Sequence, residues 1–172
     1  TRKESSAASD VYKRQPSANI TTRLSSVQAS DVKDEFGSKI KYILDGGKCN
    51  IGLESTIINL TLKPIILRLG GLDITEIKKV LKKKIGLNIN SKKRISPGQS
   101  RLHYSPGIPL KTNVKKPKKN EAFLLIKKRK ISLDNYYYLS KKSNLNEAAK
   151  NLYSLLRKIK NKGFKSISVE KI

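Results

Sequence analysis

The chain has 172 residues, 37% hydrophobic and 30% charged, with 38 Lys and Arg against 13 Asp and Glu for a net charge of +25. That length suits one ordinary domain or two small ones; no apolar run approaches the roughly 18–20 residues that cross a bilayer, so no membrane partner is expected, and the first residues lack the apolar stretch of a secretory signal. One cysteine, Cys49, excludes an internal disulfide and fits a reducing cytoplasm, and a single histidine without a CxxC pair gives a structural zinc ion no ligand set.

The charge points toward polyanions, because clustered Lys and Arg release counterions from phosphates. The excess is mostly Lys, however, and it accompanies abundant Ile and Asn. All three have A/T-rich codons, so a low-GC coding sequence raises Lys without selecting a partner. The runs 82–84, 115–119 and 127–130 are spread along the chain with no regular aromatic spacing, and each reads as a solvated face.

Residues 1–15 show neither hydrophobic period nor capping signal. Within them DVYKRQ (residues 10–15) is what GAT GTG TAT AAG AGA CAG encodes, the end of a transposase-based sequencing adapter. The segment is therefore read as a disordered adapter scar and set outside the fold. It holds four basic and two acidic residues, so the chain keeps +23 without it.

From residue 16 the elements follow in order. VQASDVKDEF (27–36) predicts a short helix closed by Gly37. Tyr42 to Leu44 reads as a short strand before the Asp45-Gly46-Gly47 turn. ESTIINL (54–60) and PIILRL (64–69) read as strands, the second stopped by Gly70-Gly71. Asp73 to Lys84 predicts a helix, with Asp73 and Glu76 as a capping box and Ile74, Ile77, Val80, Leu81 and Ile85 as its apolar stripe. Residues 87–108 turn polar and Pro/Gly-punctuated, a linker lying across a surface. A second α/β unit follows: strands at Ala122–Ile126, Tyr136–Ser140 and Ser166–Glu170, and a helix over Asn144–Lys160. Leu145, Ala148, Ala149, Leu152, Leu155, Leu156 and Ile159 form that helix's buried side. The order predicts α/β layering with a partly parallel sheet.

Four short motifs carry chemistry. PSANI offers the Ser17 hydroxyl and the Asn19 amide on a turn, groups suited to phosphate oxygens. In GLEST, Gly52 permits close backbone approach and Ser55 is a donor for a small carboxylate. Arg68, at a strand end before two glycines, is a planar charged fork fitted to phosphate. His103 and Tyr104 lie in the linker. Each motif alone reads equally as a turn, a cap, a packed side chain or a surface pair. Cys49, Asp45 and Glu54 show no spacing that suggests a nucleophilic or acid–base triad.

Taken in order, PSANI–TTRLS, DGG–KCNIGLEST, IILRLGG and SPGQSRLHYSPGIP resemble the two-domain threonylcarbamoyl-AMP synthases over nearly all of residues 16–172. The resemblance implies the C-terminal part of a YrdC-like twisted α/β domain (16–86), a linker covering the active site (87–108), and a small Rossmann-like α/β domain (109–172). It implies that L-threonine, bicarbonate and ATP, with Mg²⁺, become threonylcarbamoyl-AMP and pyrophosphate. A downstream tRNA threonylcarbamoyl transferase would use the product to modify tRNA. Ser17, Asn19, Ser25, Arg68 and Tyr104 are then expected to contact ATP, Ser55 to contact threonine, and His103 to assist the linker. No residue takes a covalent catalytic role. Family members pair S-x-N with an upstream K-x-R, and none precedes Pro16 here. The chain thus reads as an internal fragment, inactive by itself, whose half-sheet exposes edges that associate. Many members also carry K-Y-R before His-Tyr, where Ser100-Arg101-Leu102 stands. Two other readings compete: a basic module binding tRNA or double-stranded RNA, and a YrdC-like carbamoyltransferase domain, which lacks the HYSP linker and the unit that follows.

Overall fold

The computed structural model describes residues 17–89, 95–100 and 103–171. The adapter reading falls on residues 1–15, and Arg101 and Leu102 of the SRL departure fall at 101–102, all outside the described residues. Two sheets and three α-helices organise the rest. Helix α1 spans Ala29–Phe36 and ends at Gly37 as expected. The first sheet contains β1 (Ile57–Asn59), β2 (Ile65–Arg68) and β3 (Gly86–Leu87), with β1–β2 antiparallel and β2–β3 parallel. Helix α2, Ile74–Leu81, joins β2 to β3.

The second sheet contains β4 (Leu110–Val114), β5 (Glu121–Lys127), β6 (Tyr136–Ser140) and β7 (Ser166–Glu170). All four run parallel in the order β4-β7-β5-β6, and helix α3, Leu145–Asn161, packs on β6 and β5. Strand β5 lies between neighbours and reads as a continuous apolar run, with Ala122 to Leu125 buried, as strands covered on both faces do.

Leu24 and Val27, 2% and 3% exposed, join the same apolar cluster as Leu124, Tyr137, Leu156, Ile159 and Ile167. Burying each such side chain contributes roughly 1.5–3 kcal/mol. One core therefore crosses from the PSAN-bearing segment into the C-terminal sheet, and this brings side chains from both parts together.

Four sequence expectations need correction. Tyr42–Leu44 is not a strand: the segment finds no pairing partner among the described residues, and Tyr42 and Leu44 are exposed. Val80 leaves the α2 stripe for solvent, beside an open apolar depression lined by Ile58, Leu60, Leu72 and Ile77. Leu145, in the first turn of α3, is likewise exposed. Glu76 does not complete a capping box. The Asp73 carboxylate instead accepts from the Thr75 N–H at 2.7 Å and the Thr75 hydroxyl at 2.8 Å, while Lys79 holds Glu76 at 2.7 Å.

Candidate functional site

The S-x-N turn organises itself. The Ser17 hydroxyl donates to the Asn19 side-chain oxygen, and the Asn19 amide donates to the carbonyls of Arg23 at 2.9 Å and Ile20 at 3.1 Å. The Ser26 hydroxyl reaches the Ala18 carbonyl at 2.8 Å. Asn19 thus shapes the turn, while Ser17 lines a cavity of about 120 Å³ with Ser25, Ser26, Cys49, Gly52, Glu54 and Tyr153. Thr22 has a φ of +76°, uncommon for a β-branched residue. Its carbonyl accepts the Ser105 N–H at 2.8 Å, and Arg23 and Ser105 form a parallel bridge, so the linker docks where the backbone is most constrained.

Strand β2 delivers Arg68. Its Nε donates to the Ser55 carbonyl at 3.0 Å, Nη2 to the Ser55 hydroxyl at 3.2 Å, and Nη1 to the Tyr104 hydroxyl at 2.9 Å. One guanidinium fork therefore clamps the GLEST segment and the linker together. The Gly70 backbone lies so close that a Cβ there would sit 2.3 Å from the Glu54 carbonyl oxygen. The Gly71 N–H donates to that carbonyl at 2.8 Å.

The linker is fixed from its other end by Gln99. Its side-chain oxygen accepts from the N–H groups of Ile95 and Ser96, and its amide donates to the carbonyls of Leu67 and Asn88. His103 packs edge-on against Tyr104 with ring centroids 4.0 Å apart. His103 Nδ1 is buried without a partner among the described residues.

Two side chains that the motif reading gave no role also line the site. Glu54 accepts from the Ser25 hydroxyl on one oxygen and from the Tyr153 hydroxyl at 2.7 Å on the other. Tyr153 comes from α3, and its ring lies near-parallel to Tyr104 at 6.1 Å. Burial raises the Tyr153 phenol pKa, and the Glu54 hydrogen bond and charge raise it further. Tyr104 is raised by burial, then by Glu54, against the opposing pull of Arg68. Both phenols stay protonated at neutral pH, Tyr153 donating to Glu54 and Tyr104 accepting from Arg68. Gly52 has a φ of +76°, and a Cβ there would meet the Lys150 carbonyl at 2.7 Å. That contact is what lets α3 approach. The sequence signal was the Gly-x-Glu spacing itself; nothing in it pointed to a tyrosine 99 residues further on.

The structure therefore brings together Ser17, Ser25, Ser55, Arg68, His103 and Tyr104, with Asn19 behind the turn. With Glu54, these groups supply hydroxyls, one guanidinium and one carboxylate already held by two donors. Among the described residues no cluster of His, Cys, Asp and Glu could hold a metal ion.

These features define a two-part α/β protein, with a polar site at the junction of its sheets and a linker folded over that site. The chain belongs to the threonylcarbamoyl-AMP synthase family. Residues 72–172 match the family model described as threonylcarbamoyl-AMP synthase, C-terminal domain, and residues 14–70 match the Sua5/YciO/YrdC model described as telomere recombination. The threonylcarbamoyl-AMP synthase of Pyrococcus abyssi is 41% identical over 98 residues, covering 53% of this chain and 28% of that protein. The Bacillus subtilis enzyme is 36% identical over 99 residues, covering 55% and 29%. In structure, P. abyssi Sua5 complexed with L-threonine superposes with a TM-score of 0.77 at 30% identity, covering 91% of this chain and 52% of that one. A P. abyssi Sua5 variant with an adjacent His and Tyr replaced by Ala matches with a TM-score of 0.70 at 28% identity, covering 91% and 51%. The chain thus spans about half the length of the solved relatives it matches.

Proposed function

We propose that this chain carries the nucleotide- and threonine-handling half of an L-threonylcarbamoyladenylate synthase serving threonylcarbamoyladenosine formation in tRNA. The observation that carries this reading is the Arg68 fork, which holds Ser55 on one side and the linker's Tyr104 on the other. In that arrangement Arg68 neutralises phosphate charge, Ser17 and Ser25 offer hydroxyls to the nucleotide, and Asn19 holds the turn in shape. Ser55 binds threonine, and Tyr104 with His103 closes the linker over both ligands.

The threonine amine and bicarbonate condense to a carbamate with loss of water. A carbamate oxygen then attacks the α-phosphate of ATP, the bond to the β,γ-unit breaks, and pyrophosphate leaves with that electron pair. No protein nucleophile is required; positioning and charge neutralisation are the chain's contributions. Magnesium arrives with ATP as part of the substrate, held mainly by phosphates and water.

Titration calorimetry on the chain tests this. ATP and L-threonine are expected to bind, and Arg68→Ala is expected to abolish ATP binding. A chain indifferent to ATP would overturn the reading in favour of a plain RNA-binding module. Pyrophosphate release dependent on threonine and bicarbonate, followed alongside binding, reads turnover separately.

A further inference from the structure

The parallel order β4-β7-β5-β6 places the carboxyl ends of all four strands along one edge. In sequence the lysine runs are scattered; the topology gathers two of them, 115–119 and 127–130, with the pair Lys141-Lys142. Register pairs Val114 with Glu170 and Lys127 with Ser140. Lys115 and Lys116 therefore follow β4, Lys127 and Lys128 close β5, and Lys141 and Lys142 follow β6, at nearly one level. All six are exposed. Two carboxylates lie at this edge, and both are engaged: Glu170 by Arg129 at 2.9 Å and the Ile126 N–H at 2.5 Å, and Glu147 by the Ser140 hydroxyl at 2.6 Å. Among the described residues none of the six lysines lies within ion-pair distance of a carboxylate. At the opposite edge, by contrast, Lys111 is paired with Glu121 at 3.6 Å.

From this juxtaposition we infer that the carboxyl edge of the C-terminal sheet is a docking surface for the phosphodiester backbone of a structured RNA. Three strand steps of about 4.8 Å make the row roughly 14 Å long, enough to track several successive phosphates. Lysine ammonium groups are mobile point charges rather than base-reading forks, so the contact positions the RNA without reading its sequence. Codon bias raises lysine content everywhere but does not sort it to one edge of a sheet. A membrane surface fits less well. Peripheral membrane sites join cations to a continuous apolar face, whereas these lysines are interleaved with Ser140, Ser143 and Asn144. The nearby Ile131 and Leu133 are exposed, and a vesicle arm of the test addresses them.

The choice of tRNA as probe rests on the proposed function; the edge itself does not. Fluorescence anisotropy of labelled bulk tRNA is measured with the full chain from about 50 to 200 mM salt, a range over which phosphate contacts are read out. A variant carrying Lys127→Gln, Lys128→Gln and Lys141→Gln is compared with one carrying Lys78→Gln, Lys82→Gln and Lys83→Gln, which removes the same charge elsewhere. Circular dichroism checks that both are folded. The edge variant is expected to bind about tenfold more weakly, with its salt slope reduced by about 2–3 for three lost phosphate contacts. The control is expected to change less than about twofold. Equal losses in both variants would overturn the inference, as would binding to phosphatidylserine vesicles without binding to tRNA. Calorimetry with ATP on the same preparation separates the two readings. ATP binding without tRNA binding removes the edge proposal alone, and tRNA binding without ATP binding removes the synthase reading alone.

Discussion

The Tyr153 hydroxyl donates to a Glu54 carboxylate oxygen at 2.7 Å across 99 residues of chain, and the other oxygen of Glu54 accepts the Ser25 hydroxyl. A helix of the C-terminal unit thereby fixes a carboxylate in the first unit, one residue from Ser55. The pair makes the C-terminal unit part of the site's wall. Tyr153→Phe removes the hydroxyl while keeping the ring over Tyr104, and is expected to cost about 1.5–3 kcal/mol, the range for a hydrogen bond to a charged group. Urea unfolding of Tyr153→Phe, Glu54→Gln and the double variant checks it. A coupling energy near zero in that cycle would mean the contact carries no stability. Because the folded pKa of Tyr153 is raised, its contribution is fully present below the unfolded phenol value and is lost as pH rises through the folded one. Wild type is therefore expected to lose stability above about pH 10 more steeply than Tyr153→Phe.

Arg68 is the second junction. Lysine there keeps the charge but cannot reach the Ser55 carbonyl, the Ser55 hydroxyl and Tyr104 at once. Arg68→Lys is expected to weaken ATP binding about tenfold, equivalent to 1.4 kcal/mol, with the fold intact. Gly98→Ala reaches the same clamp from the linker. At φ +94° its Cβ would sit 2.9 Å from Arg68 Cδ and 3.3 Å from the Tyr104 hydroxyl. It should open the linker to limited trypsin digestion without a comparable loss of global stability. Unchanged cleavage kinetics would show that the linker does not depend on this contact.

Strands β6 and β7 and most of α3 were legible because apolar periodicity and flanking turns agreed with the tertiary outcome. Strand β4 was not. Leu110 to Val114 is mostly exposed and polar, and it is a strand only because β7 offers it a free edge. Tyr42–Leu44 failed for the opposite reason: good strand residues found no edge to join. At the site, Arg68, Ser55 and Tyr104 came from short motifs and meet in the structure. Tyr153 could not be found that way, since a helix's buried face looks the same whether its tyrosine packs or donates. The basic edge was equally hidden, because it exists only once the strand order is known.

Glu121 makes a pH prediction. The buried Ser168 hydroxyl donates to it at 2.7 Å, the Lys118 N–H at 3.1 Å and the Ser166 hydroxyl at 3.2 Å, with Lys111 at 3.6 Å. The Ser168 and Lys118 hydrogen bonds outweigh burial and, with the Ser166 bond and the Lys111 charge, hold the carboxyl at about 2. A depressed folded pKa contributes stability above the unfolded value, and that stability is lost as pH falls toward the folded one. Stability of the wild-type chain is expected to decline between about pH 4.5 and 2. Glu121→Gln should be less stable at neutral pH and show a flatter acid limb. Parallel limbs in the two proteins would exclude Glu121 as a source of the acid sensitivity.

The first sheet leaves apolar surface open. Leu62 is 92% and Val80 81% exposed, beside the depression of about 310 Å³ lined by Ile58, Leu60 and Leu72, and among the described residues β1 pairs on one side only. An unpaired strand next to exposed aliphatic side chains templates association. The net charge of +25 opposes it at low ionic strength and loses that reach as the Debye length falls to about 3 Å at 1 M salt. Sedimentation velocity is expected to show monomer at low salt and concentration-dependent oligomers at high salt. Leu62→Lys with Val80→Lys should restore the monomer at high salt without altering ATP binding, since neither residue touches Arg68, Ser55 or Tyr104. Oligomers that persist in the double variant would place the contact elsewhere on the molecule.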